Sequence, residues 1–531
     1  MKVLLINPPL CVHEFPHLAL PALKGYLKKQ QILCEVADYN VYLMDSIITD
    51  GLEKVEDYYF SHGLRITLAE IKRQFQSARQ VFLSKDHVGR EDRAQKLINT
   101  YLRIAGSNIF DVCFKPDSLN KIKAEYDICD MYHSPNRILR YLSEKVSDIR
   151  VKEYDVVGIS VPFTSQLFYA LILGRAVKQV LPNAKVVLGG PQISLFWGVL
   201  TQHAPFRASY DGLLYGMGEK AIYEYIVAVQ KHGDFGRVPN LIHWEDEKLV
   251  INEEQSIHDM EELPLADFSD LPLDKYIYAK LPYQTSRGCY WSKCVFCSYR
   301  ENHKRYSVRQ AEEVCDHLAE LERSYGRHIF QFIDDAIHPT VLSKLADSIM
   351  ARHMKIRYDA YLRLDPGFTE SLCRKLAESG LKNVLFGMES ANQRMLNLMC
   401  KGNTPDNMLR VLKNMKNAGI QNILSCLIGF PTETEAEAWE SIRFLRDNRQ
   451  WYYYVYIVHF GMISDMRDHA ELYGIKNLNL NDLVRYDDSG FTALGYPYET
   501  SIGMTVEEAL SIIQKGRKEL GISVFEDNFF T

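Results

Sequence analysis

The stretch "SRGCYWSKCVFCSYR" at residues 286–300 puts Cys289, Cys294 and Cys297 within nine positions. Three thiols so close together form a ligand set. A structural zinc site takes four ligands, typically as two separated Cys-x-x-Cys pairs. Here only 294–297 has that spacing, and the nearest further thiol, Cys315, falls in a segment of helical pattern. Inert buried thiols are another reading, but the intervening "YWSK" is loop-like. Cysteine thiolates also hold iron–sulfur clusters. Three of them on a four-iron cluster leave one iron without a protein ligand, and that iron can chelate a substrate and pass it an electron at bonding distance.

A loop of this kind needs strands to carry it. "YQTSRG" (283–288), "IFQFIDD" (329–335), "IRYDAYLRL" (356–364), "NVLFGMES" (383–390), "QNILSCLIGF" (421–430) and "WYYYVYIVHF" (451–460) read as strands separated by helical segments. Six such repeats predict a partial (β/α)6 barrel, and chemistry in such folds gathers where the strands end. An earlier series, "KVLLIN" (2–7), "CEVADYN" (34–40), "DVVGISV" (155–161), "AKVVLGGP" (184–191) and the strand–turn–helix "YDGLLYGMGEKAIYEYIVAV" (210–229), alternates with helices. That pattern predicts a doubly wound, Rossmann-like α/β domain with a parallel sheet covered on both faces. The expected domains are 1–250, with a charged helical insertion over about 42–148 and a hairpin at 238–252. A Pro- and Asp-rich linker at 251–281 follows, then the barrel core at 282–449. Residues 450–531 hold the last barrel strand and an accessory region.

The cysteine trio, its place after the first barrel strand and Phe296 before the last cysteine resemble the radical S-adenosylmethionine superfamily over about 282–449. The resemblance implies a 4Fe–4S cluster on Cys289, Cys294 and Cys297. It would reduce the sulfonium of S-adenosylmethionine and release a 5′-deoxyadenosyl radical, the cofactors carrying the hard chemistry. The superfamily's usual spacing is Cys-x3-Cys-x2-Cys, whereas this loop is Cys-x4-Cys-x2-Cys, one residue longer before Cys294. "GMESAN" (387–392) resembles the ribose-contacting position, with Glu389 and Ser390, and "LIGFPTET" (427–434) the glycine motif that lets Gly429 approach the adenine. Arg363, ending the third strand, is the candidate partner of the methionyl carboxylate, and Phe296 joins these contacts. Asp334 and Asp335 end the second strand. "MCKGNTPDNM" (399–408) looks like the superfamily's helix-connecting segment, with Cys400 incidental. Each position alone reads equally as a surface ion pair or a tight turn; their joint register with the cysteines carries the reading. Tyr454, Tyr456 and His459 are candidate substrate or proton-handling groups, although aromatic strand residues read more simply as core. No catalytic acid or base is assigned.

In the first domain no G-x-G-x-x-G follows the first strand, which removes the dinucleotide fingerprint. Instead "NPP" (7–9), "GGP" (189–191) and Gly216-x-Gly218-Glu219 stand at successive strand ends. Over roughly 1–40 and 150–235 this series resembles the cobalamin-binding domain that precedes the barrel in one branch of the superfamily. The resemblance implies cobalamin against Gly189, Gly190, Pro191, Gly216 and Gly218. The Asp-x-His-x-x-Gly signature is absent, so no histidine is expected beneath the cobalt. A purely structural sheet domain is the alternative.

The reaction so implied is methylation of an unactivated carbon of a small molecule or peptide, with an outside electron donor such as a flavodoxin or ferredoxin. A cyclisation or rearrangement with the same cofactors is the runner-up. A non-catalytic cobalamin or redox sensor would bring an output domain such as a helix-turn-helix, and none is read. With a net charge of −6 and no polybasic tract, nucleic acid is not an expected partner. The apolar run in "MKVLLINPPLCVHEF" is too brief for a signal peptide, and no stretch is long enough to span a bilayer. Eleven cysteines, an odd number, point to thiols or metal ligands in a cytoplasmic chain.

Overall fold

Two β-sheets organise the chain in this computed structural model. It describes residues 1–9, 11, 14–81, 93, 94, 97, 98, 100, 101, 131, 137–298, 305–461, 465–485 and 494–522. Two units separate: Met1–Ile257 with Glu262–Ala279 form one, and His258–Glu261 with Lys280 onward the other.

The first unit begins β1 (Val3–Asn7), α1 (Ala19–Lys29), β2 (Glu35–Asp38), α2 (Tyr39–Gly51), α3 (Glu53–Ser61), α4 (Leu68–Val81) and α5 (Arg137–Lys152). It continues with β3 (Val156–Ser160), α6 (Thr164–Val180), β4 (Lys185–Gly189), α7 (Pro191–Gln202), β5 (Gly212–Leu214), α8 (Gly218–Gln230), β6 (Leu241–Glu245) and β7 (Lys248–Ile251). Every residue of β1 and β3 is buried, as expected of strands covered on both faces. The parallel strands run in the order β2-β1-β3-β4-β5. The chain winds one way from β1 and the other way from β3, so the switch point, where such sheets take ligands, lies between the ends of these two strands. The hairpin expected at 238–252 pairs antiparallel with β5 and extends the sheet to seven strands. Within the expected insertion the described elements are helices; most of 82–136 lies outside the described residues. The stretch read as a linker is packed over 262–279. Asp270 meets Lys24 at 2.6 Å, Asp267 meets Lys28 at 2.9 Å, and the Tyr276 hydroxyl donates to Asp38 at 2.6 Å.

The second unit runs β8 (Lys280–Tyr283), α9 (Ala311–Tyr325), β9 (Ile329–Phe332), α10 (Pro339–Ala351), β10 (Arg357–Leu362), α11 (Glu370–Glu378) and β11 (Leu381–Glu389). Then come α12 (Gln393–Leu398), α13 (Pro405–Asn417), β12 (Gln421–Ile428), α14 (Glu435–Asp447), β13 (Tyr454–His459) and α15 (Val506–Glu519). All six strands are parallel, in the order β13-β12-β11-β10-β9-β8, which is the expected partial barrel. β12 shows its period of two: Asn422, Leu424, Cys426 and Ile428 are buried, and Gln421, Ile423, Ser425 and Leu427 half-buried on the other face. α13 shows the helical counterpart. Met408, Val411, Leu412 and Met415 form its buried stripe, Pro405 opens it, and the Thr404 hydroxyl accepts from the Asn407 amide at 3.2 Å. No helix among the described residues is long and apolar enough to cross a membrane.

Candidate active site at the strand ends

The first barrel strand ends at Tyr283, five residues short of the expected Gly288. Beyond it the Thr285 and Ser286 amides turn to a side chain, and Ser286–Arg287 pairs antiparallel with Ser307–Val308 instead of continuing along β9. Asp334, fully buried beyond the end of β9, accepts from the Thr285 amide at 3.2 Å and hydroxyl at 2.9 Å. It also accepts from the Ser286 amide and, at 2.7 Å, the Ser286 hydroxyl. Burial raises its carboxyl to about 6 despite these bonds. Asp335 is half-buried beside Ala336, which bridges to Cys289 in parallel fashion. From there the cysteine loop crosses the strand ends. The Val295 amide donates to the Met399 carbonyl at 3.2 Å, and the Cys297 amide to the Cys294 carbonyl at 3.3 Å. Cys289, Cys294 and Cys297 are half-buried and form no disulfide. No three His, Cys, Asp or Glu side chains among the described residues converge on a point suited to a single metal ion.

Two cations stand beside this loop. Arg363, just past β10, directs Nη1 at the Cys294 sulfur at 3.8 Å and Nη2 at the Lys401 carbonyl at 2.7 Å. Its Nε is buried without a hydrogen-bond partner among the described residues. Lys401 Nζ lies 5.7 Å from the centre of the Phe296 ring and pairs with Glu389 Oε1 at 2.9 Å. Burial pushes the Cys294 thiol up, while Lys401 and Arg363 oppose it by favouring the thiolate. Glu389 reaches Lys401 through a bulge. Gly387 pairs with Ser425 but Glu389 with Cys426, so Met388 is an extra residue in the ladder. Glu389 itself has a φ of 64°, uncommon for a residue with a side chain. A Cβ on Gly387 would overlap the Glu389 carboxylate, so this strand makes room for the pair by omitting one. Lys401 carries no signal in the sequence: its acidic partner stands twelve residues upstream, outside helical reach.

Other expected positions are engaged elsewhere. The Ser390 hydroxyl is fully buried, 3.1 Å from the Ser441 hydroxyl on α14, and accepts from the Asn392 amide. The space a Cβ on Gly429 would need is taken by His459 at 2.7 Å and Ala509 at 2.9 Å. Its amide donates at 2.7 Å to Glu433, a fully buried carboxyl that burial raises to about 8. Phe430 then brings its edge to Phe296, ring centres 6.4 Å apart. The structure thus gathers the cysteine loop, Phe296, Arg363 and Glu389, and adds Lys401 and Phe430. Tyr454 and Tyr456 pair with Ile423 and Ser425, on the half-buried face of β12, whereas His459 pairs with Ile428 on the other.

In the first unit Gly189, Gly190 and Pro191 end β4 and open α7, while Gly216 lies between β5 and α8 and Gly218 opens α8. Gly190 has a φ of 103°, and a Cβ there would press on the Val161 backbone at 3.0 Å. The Gly216 amide donates to the Ser194 hydroxyl at 2.9 Å, joining the two strand ends. At the switch point Asn7 donates to Asp38 at 3.0 Å, and Gln166 to Asn7 at 2.9 Å and to the Pro8 carbonyl at 2.5 Å. This buried network fixes the "NPP" turn.

Residues 283–445 match the Radical SAM superfamily. An uncharacterised methyltransferase of Pyrococcus horikoshii is 30% identical over 341 residues, covering 61% of this chain and 71% of that one. The anaerobic magnesium-protoporphyrin IX monomethyl ester cyclase of Rubrivivax gelatinosus is 23% identical over 354 residues, 63% of this chain and 62% of that one. Among solved structures, the radical S-adenosylmethionine methyltransferase TsrM of Kitasatospora setae, with cobalamin and a 4Fe–4S cluster bound, has a similar fold. Its TM-score is 0.62 at 15% identity, over 97% of this chain and 90% of TsrM. The cobalamin-dependent S-adenosylmethionine radical enzyme OxsB matches with a TM-score of 0.57 at 15% identity; 84% of this chain spans 52% of OxsB. With the cysteine loop at the ends of six parallel strands, these likenesses make the chain a member of the radical S-adenosylmethionine superfamily, whose enzymes work with a 4Fe–4S cluster and S-adenosylmethionine.

Proposed function

We propose that the chain is a cobalamin-dependent methyltransferase acting, by radical chemistry, on an unactivated carbon of a small molecule or peptide. The observation that carries this is three cysteine thiols of one loop with a guanidinium against one sulfur and a buried carboxylate–ammonium pair alongside. One Cys-x-x-Cys with a third cysteine five residues upstream, and no second pair beside it, suits a cluster with an open iron better than a four-ligand structural zinc. In this reading Cys289, Cys294 and Cys297 hold the cluster. When bound, the cluster supplies the electron that opens S-adenosylmethionine, and cobalamin supplies the methyl group. Arg363 offers its unpartnered Nε to the methionyl carboxylate. Glu389, with Oε1 committed to Lys401, keeps Oε2 for the ribose hydroxyls. Phe296 and Phe430 form the apolar wall beside them.

For cobalamin the strand ends of the first unit offer open backbone. A Cβ on Gly189 or Gly218 would meet nothing nearer than 3.7 or 3.5 Å, so internal packing does not require glycine at either position. A flat ligand lying on the backbone would. Gly190, Pro191 and Gly216 complete that surface. The methyltransferase names of the Pyrococcus relative and of TsrM support methylation, while the relatives named as cyclases favour a second reading, ring formation without methyl transfer. An external one-electron donor of flavodoxin or ferredoxin type completes the reaction.

The test is anaerobic reconstitution with iron, sulfide and cobalamin, followed by reductant and S-adenosylmethionine. Methylation yields 5′-deoxyadenosine together with S-adenosylhomocysteine. The nucleoside alone favours the cyclase reading. Zinc without iron or inorganic sulfide in anaerobically purified protein overturns both.

A further inference from the structure

The loop between Cys289 and Cys294 holds four residues, Tyr290, Trp291, Ser292 and Lys293. Their conformation shows what the longer span is used for. Tyr290 turns one way, its hydroxyl donating to Asp365 at 2.8 Å and its ring set edge-on to His338. Ser292 takes a left-handed φ of 46°, and this kink lets the loop return to Cys294 with Trp291 swung aside. Trp291 is then held at three points. Its indole N–H donates to the Cys400 carbonyl at 2.8 Å. Its ring edge fills the place where Gly402, at a φ of 66°, has no side chain, and a Cβ there would overlap it. Arg363 Cζ lies 4.3 Å from the ring centre.

That last contact connects the tryptophan to the sulfur. Arg363 is 7% exposed. Its guanidinium is fixed by the Trp291 ring and by the Lys401 carbonyl, which leaves Nη1 directed at Cys294 Sγ. A cation attracted to an aromatic face is held without using its N–H groups, so the donor facing the sulfur stays free for it. Hydrogen bonds to cluster sulfurs and nearby charge are among the factors that set iron–sulfur potentials. A donor with a positive charge stabilises the more anionic, reduced state, which raises the potential.

We propose that Trp291 is a positioning residue that sets the electron affinity of the cluster by fixing the Arg363 guanidinium against the sulfur of Cys294. The proposal rests on the assignment of Cys294 as a cluster ligand. A tryptophan that only packed the loop would affect cluster retention, but it would not act through one arginine.

The experiment is a double-mutant cycle read as the midpoint potential of the reconstituted cluster, titrated anaerobically and followed by electron paramagnetic resonance. Iron and sulfide per chain are measured on every sample. Trp291→Ala and Arg363→Gln are each expected to shift the potential to more negative values, and the double variant is expected to match Arg363→Gln alone. Should Trp291→Ala not retain iron, Trp291→Phe replaces it. That variant keeps a ring over Gly402 without the N–H, so its shift has the same sign and a smaller size, and again vanishes in the Arg363→Gln background. An unmoved potential in the tryptophan variant beside a shifted one in Arg363→Gln, or additive shifts in the double, overturns the proposal. Wild-type protein without iron and sulfide overturns the cluster assignment instead, a different result from either.

Discussion

Lys401 has no sequence signal, yet it is the residue most exposed to error by substitution. It and Glu389 are a charge pair with side chains only 8% and 10% exposed. Removing one member leaves an uncompensated buried charge, costing about 3–5 kcal/mol, whereas replacing both by apolar groups is often near neutral. Lys401→Met should therefore lower the urea midpoint sharply, and Lys401→Met with Glu389→Leu should recover most of it. Glu433 makes a second test, in pH. Burial raises its carboxyl from 4.5 to about 8, so the folded chain holds a proton that the unfolded chain releases. Its contribution is fully present below about 4.5 and is lost as pH rises toward about 8. Glu433→Gln should flatten the stability profile across that window and gain over wild type at its alkaline end, as urea melts at several pH values would show. The cysteine loop is legible because the spacing of its three thiols is local. Lys401, Trp291 and Glu433 are not, because their partners come from other loops and no short pattern records them.

At the scale of elements, the strands were read nearly where they stand, since alternating or continuous apolar runs write burial directly into the chain. The miss at β8 has a specific cause. Past Tyr283 the Thr285 and Ser286 amides go to the Asp334 side chain instead of the barrel ladder, and Ser286–Arg287 pairs with Ser307–Val308 outside it. The Asp334 carboxyl ties the end of one strand to the start of the cysteine loop. Asp334→Ala should cost about 3 kcal/mol by leaving several buried donors unmet. It should also reduce the iron retained per chain after reconstitution and desalting. Asp334→Asn, which keeps an acceptor, should fall between. The pattern at 238–252 predicts the hairpin β6–β7 but not its addition to the sheet, because an edge pairing depends on which strand it meets.

At the scale of the molecule, the residues proposed for the two cofactors fall in different units, Gly189–Pro191, Gly216 and Gly218 in the first and the cysteine loop in the second. A chain with Cys289, Cys294 and Cys297 all changed to alanine should retain no iron, yet still take up cobalamin with the wild-type absorbance spectrum. Loss of both would contradict independent sites. The order of elements was legible as two runs of strand and helix. The packing of 262–279 against α1 and β2 was not, since proline and aspartate mark a break in regular structure without saying whether the irregular chain lies against a surface. The bulge in β11 carries a last consequence. Along a strand, orientation is a matter of odd and even, and Met388 is the one residue that sets the count for the carboxylate after it. Losing that single codon would leave the formal charge untouched, yet it would turn Glu389 toward the helices and leave Lys401 with nothing to neutralise it.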